Sequence, residues 1–93
     1  MIRVADGCAE VSGPMTMAGA SALLAEGEAA IAANALAFDL AAVTDMDSSC
    51  LAVVFGWMRA AKDGGKSVRL LNPPQNLLSL AAVYGVADIL PQH

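Results

Sequence analysis

Ninety-three residues with five Lys and Arg against nine Asp and Glu, a formal charge of −4, leave room for one domain and one core. The acidity excludes a general nucleic-acid binder, which needs a basic face to displace counterions from phosphates. At 57% apolar, with 20 alanines, the chain is too hydrophobic for intrinsic disorder.

The chain opens with two short apolar-rich runs, Ile2 to Ala5 and Cys8 to Ser12, separated by Asp6-Gly7. Asp-Gly suits the positive φ angles of a two-residue type I′ turn, so the spacing predicts an antiparallel hairpin. Gly13-Pro14 is expected to break the second strand. Thr16 is placed to cap an Ala-rich helix in which Met17, Ala20, Leu23, Leu24, Gly27 and Ile31 share one side. Gly19 and Gly27 weaken that helix by about 1 kcal/mol each relative to Ala, so tertiary packing must support it. Asn34 ends it.

Leu36 to Val43 is a nearly continuous apolar run with one acid, Asp39, and predicts a central strand covered on both faces. A second helix is expected from about Ser48 to Lys62, stopped by Gly64-Gly65. A strand over Ser67 to Leu71 follows. Asn72-Pro73-Pro74 then starts a third helix, Pro74 to Tyr84, with Gly85 beyond its end and Val86 folding back. The tail, Ala87 to His93, is expected to form a last short packed segment. The prediction is a single α/β domain over residues 1–93, with about four strands of mixed direction and three to four helices.

Catalytic patterns are missing. A serine nucleophile needs a nearby base, and the only histidine is His93, the last residue. Gly64-Gly65-Lys66-Ser67 shares its ending with a phosphate loop but precedes a strand instead of opening a helix, so it reads as a surface turn. Cys8 and Cys50 stand 42 positions apart without a Cys-x-x-Cys pair and read as small buried hydrophobes of a reducing compartment. No metal site, cofactor or enzymatic activity is expected. No run approaches the roughly 18 apolar residues of a membrane span, and the first residues lack the apolar stretch of a secretory signal. The expected address is the cytoplasm.

The informative segment is Asp45-Met46-Asp47-Ser48-Ser49, where the buried strand hands over to the second helix. A helix start presents unpaired N–H groups, and Asp47 or Ser48 would cap them. The same residues also place Ser48 where a partner or a kinase can reach it. A phosphate there gains about 0.3–1 kcal/mol from the helix dipole. Repulsion from close carboxylates exceeds that gain, so modification is expected to push a partner off rather than lock the domain.

The second helix carries Leu51, Val54, Phe55, Met58 and Ala61 as a stripe that should face the sheet. Val53, Trp57 and Ala60 fall on roughly the opposite side. Either Trp57 folds over a neighbouring loop, or Val53 and Trp57 belong to an outer apolar interface anchored by the indole. Charge is uneven as well. Residues 1–58 hold one base and seven acids; residues 59–93 hold four bases and two acids. Arg59, Lys62, Lys66 and Arg69 read as an ordinary solvated basic face.

Phe38-Asp39-Leu40, followed by Val43-Thr44-Asp45-Met46-Asp47-Ser48-Ser49-Cys50-Leu51-Ala52, resembles the STAS domain, the fold of anti-sigma factor antagonists and related regulatory modules. The family shows a buried strand and then Asp-Ser-Ser/Ala-Gly-Leu opening a helix. Val68 to Pro74 and the Leu80-Ala81-Ala82-Val83-Tyr84-Gly85-Val86 ending fit too, so the resemblance spans nearly the whole chain. Cys50 departs from the family's glycine. The compact size and the ending are most similar to the cytoplasmic STAS subunits of ABC systems that transport phospholipid.

That resemblance implies a non-catalytic subunit that binds and supports the ATPase of such a complex, and through it the permease, in maintaining outer-membrane lipid asymmetry. It implies a cytoplasmic protein peripheral to the inner membrane through its partner, without membrane insertion of its own. Asp45, Asp47, Ser48, Ser49, Val53 and Trp57 are the expected partner-binding residues. The alternative it carries is an anti-sigma factor antagonist switched by phosphorylation at Ser48, with an antisigma kinase as partner. Nucleotide binding is implied by the shared fold alone.

Overall fold

A computed structural model describes residues 1–90 of the chain; the end of the expected tail segment, with His93, lies outside the described residues. Strands β1 (Ile2–Ala5) and β2 (Cys8–Met15) form the hairpin. Asp6 at φ 54° and Gly7 at φ 76° take the two positive-φ positions of its turn. Gly13-Pro14 does not stop β2, contrary to expectation. The strand passes through two register shifts, and Gly13 adopts φ 82°. Pro14 needs no second ladder bond there, because β1 starts at Ile2, opposite Val11, and does not reach it.

A 3₁₀ turn at Met17–Gly19 leads into helix α1 (Ala20–Ala32). Thr16 makes no capping bond and Met17 is exposed, so the helix starts three residues later than the sequence predicts. Strand β3 (Ala37–Met46), helix α2 (Ser49–Asp63), strand β4 (Arg69–Leu71) and helix α3 (Gln75–Val83) follow in the predicted order. A second 3₁₀ turn, Ala87–Ile89, closes the described chain.

All three α-helices end the same way. Asn34 at φ 67°, Gly65 at φ 71° and Gly85 at φ 72° each turn the chain left-handed just past a helix. The next N–H then reaches back to the last turn: Ala35 N to Ala30 O, Lys66 N to Ala61 O and Val86 N to Ala81 O, at 2.7–2.9 Å.

The sheet order is β1-β2-β3-β4, with β1 antiparallel to β2 and the remaining neighbours parallel. Two right-handed crossovers that advance in one direction bring both their helices to the same face. There α1 and α2 cover Val11, Phe38, Leu40 and Leu70, all essentially inaccessible. Burying side chains of this size contributes about 1.5–3 kcal/mol each. β3 is therefore covered on one face only, which corrects the two-sided expectation. The opposite face carries Arg3, Glu10 and Asp39 in register; Arg3 pairs with Glu10 at 2.7 Å, and Asp39 accepts from Asn72 Nδ2 at 3.1 Å. Charges in that row need water, not a helix.

Candidate functional site

β3 ends at Met46, and α2 begins three residues on, at Ser49. Between them Asp47 does the capping. Its Oδ1 accepts the N–H of Ser49 at 2.9 Å and the Ser49 hydroxyl, and its Oδ2 accepts the N–H of Met17 at 3.0 Å. One carboxylate thus satisfies the helix start and ties the loop after β2 to it. These donors, the Ser49 hydroxyl foremost, hold the Asp47 carboxyl below its ordinary pKa of 3.8.

With Asp47 occupied in this way, Ser48 is left over. It is exposed immediately before the first residue of α2, and its hydroxyl caps nothing. Asp45 is exposed as well and accepts the N–H of Met46, at 2.9 Å. Cys50, the second residue of α2, is buried in the core; burial first, and the nearby Asp47 charge second, push its thiol up to about 11. It remains a neutral packing group at physiological pH.

Val53 and Trp57 do not belong to this surface, contrary to expectation. Both are buried, Trp57 completely. The Trp57 ring stacks on Phe38 with centroids 4.3 Å apart and planes 19° apart, and Nε1–H donates to Leu23 O at 3.2 Å. The physical reason is that α2 buries a wider arc than one stripe. One side of the arc meets the sheet, and Trp57, wedged between Phe38 of the sheet and Leu23 and Gly27 of α1, meets both. Phe55 and Met58, expected to face the sheet, lie half-buried at its margin.

The structure adds residues that sequence reasoning missed. A groove of about 480 Å³ beside Ser48 is lined by Leu51, Ala52, Phe55, Tyr84 and Val86. Tyr84 is 58% exposed and its chain neighbour Val83 80%, an unusual display for large apolar side chains. The signal was present in the spacing of α3. Leu77 and Ala81 mark its buried face, which leaves Val83 and Tyr84 pointing away from the core.

A family described as "Mlab, STAS domain" matches residues 3–91. The chain belongs to the STAS domain family. Solved STAS-like structures agree with the fold. A putative anti-sigma factor antagonist from Thermotoga maritima aligns at a TM-score of 0.74 and 12% identity, over 99% of this chain and 83% of that one. The Bacillus cell fate determinant SpoIIAA in its phosphorylated form aligns at 0.67 and 18% identity, over 100% and 89%. The anti-sigma factor antagonist SpoIIAA in its unphosphorylated form aligns at 0.64 and 20% identity, over 86% and 78%. No curated protein matches in sequence. In this STAS domain, no three metal-ligating side chains converge among the described residues, and no described helix is long and apolar enough to cross a membrane.

Proposed function

We propose that this STAS domain is a non-catalytic subunit of an ABC complex that transports phospholipid and maintains outer-membrane lipid asymmetry. It docks on the ATPase subunit through the Ser48 tip of α2 and reaches the permease only through that ATPase. It works in the cytoplasm, held at the inner membrane by its partner. The observation that carries this reading is the exposed Ser48 beside an open apolar groove, on a chain matched by the MlaB family. Ser48, Asp45, Phe55 and Tyr84 would meet the partner. Asp47 and Ser49 hold the tip in shape.

Affinity capture from detergent-solubilised native membranes tests it. The expected result is co-recovery of an ABC ATPase and its permease. Recovery of a serine kinase of the antisigma type in their place reverses the assignment. That second reading, an antagonist switched by phosphorylation of Ser48, is favoured by the uncommitted hydroxyl and by the likeness to SpoIIAA in both of its forms.

A further inference from the structure

A second groove of about 480 Å³ lies at the opposite end of α2, a 15-residue helix roughly 20 Å long. Met58, Val68 and Ile89 supply its apolar wall, and Arg59, Lys62 and Lys66 supply charge. Ile89 is 56% exposed, a branched side chain left largely in water. Three of the five basic residues of an acidic chain thus gather around one apolar surface.

Among the described residues, no acid cancels their charges. Lys66 Nζ donates to the neutral carbonyl of Ile31 at 3.0 Å, which holds the ammonium in place without neutralising it. Arg3–Glu10 is the one ion pair among the described residues, so neither Asp63 nor Asp88, the acids of the adjoining segments, pairs with the groove. Lys62 in the last turn of α2 also offsets the helix dipole. Lys66, bonded to a carbonyl in the last turn of α1, does the same for that helix; Arg59 and the apolar wall beside the three cations are left unexplained.

We propose that this groove binds a small organic anion with an apolar body, of the alkyl- or arylcarboxylate class. The volume lies within the range of small-ligand sites. The wall removes hydrocarbon from water while the cations meet the anionic head, and neither half of the site serves a neutral lipid or a bare ion well. This assignment is independent of what docks at Ser48.

An amide-resolved NMR titration of the full chain with sodium octanoate, 1-octanol, inorganic phosphate and phosphatidylglycerol vesicles tests the proposal. Saturable shifts with octanoate, confined to residues 58–68 and Ile89, are expected, with 1-octanol and phosphate each weaker by about tenfold or more. The double substitution Arg59→Gln, Lys62→Gln and the single Ile89→Ser should each weaken octanoate by about tenfold while leaving the rest of the spectrum unchanged. Equal binding of 1-octanol or of phosphate overturns the proposal. So does octanoate affinity unaltered in both variants, or vesicle binding with no response to octanoate, which would make the groove a membrane-facing surface.

Discussion

The indole of Trp57 rests on the bare α-carbon of Gly27, and a β-carbon at that position would occupy the space of the ring. The same indole donates to the carbonyl of Leu23, one turn back on α1, and stacks on Phe38 of β3 from its other side. Helix, helix and sheet therefore meet at a single side chain.

Gly27→Ala should destabilise the domain even though alanine is the better helix former by about 1 kcal/mol. The ring is held by Phe38 and cannot swing aside, so overpacking of about 1–3 kcal/mol outweighs the propensity gain. Gly56→Ala provides the contrast. Its β-carbon would meet only the end of the flexible Leu24 side chain, and stability should stay level or rise. Urea unfolding of the two variants reads the difference directly. Equal stability of Gly27→Ala and the parent would show that the indole is not seated there.

Trp57→Ala should cost about 3–5 kcal/mol, a large share of the roughly 5–15 kcal/mol that holds a small domain together. Trp57→Phe keeps an aromatic ring against Phe38 but loses the hydrogen bond to Leu23 and the ring atoms packed on Gly27, which leaves a small cavity. It should fold with a lowered unfolding midpoint. Because the parent ring is inaccessible, partner capture by folded Trp57→Phe should match the wild-type level. Loss of capture in that variant, with the thermal transition intact, would restore Trp57 to an interface.

The course of these elements was legible where backbone chemistry is local. Asp6-Gly7, Asn34, Gly65 and Gly85 each take the left-handed conformation their residue types favour, and the predicted turn and helix ends fall at them. The Ser48 tip was legible for the same reason, since a strand-to-helix junction shows in a few adjacent residues. The seat of Trp57 was not. A helical wheel separates faces but does not say which neighbour covers them, and α1 covers this one only through the order of strands across the sheet. Gly27, which weakens α1 when read alone, is the small residue that admits the indole.

Asp47 should give stability a distinctive acid limb. Its folded-state pKa is depressed by the Ser49 hydroxyl and by the N–H groups of Met17 and Ser49. A depressed carboxylate contributes stability that is fully present above its unfolded pKa, near 3.8, and lost as pH falls through the lower folded value. Asp47→Asn should therefore be less stable at neutral pH, and its stability should fall less steeply below pH 4 than that of the parent. Unfolding midpoints collected across acid pH check this. Identical acid limbs would mean that the carboxylate is not engaged as described.

Ser48 and Tyr84 separate the docking surface from the fold. Ser48 is exposed and caps nothing, so Ser48→Ala should leave the unfolding free energy within about 0.5 kcal/mol of the parent, as should Tyr84→Ala at the end of α3. The effects on partner capture should differ. Removing the Tyr84 ring takes apolar area from the groove and should weaken capture by about tenfold or more. Ser48→Asp adds a carboxylate beside one already fixed at Asp47, and repulsion should weaken capture further while Ser48→Ala has little effect. Capture by Ser48→Asp and Tyr84→Ala at the parent level, with both variants folded, would move the docking surface elsewhere on the domain, and the open charged face of the sheet would then be the next place to probe.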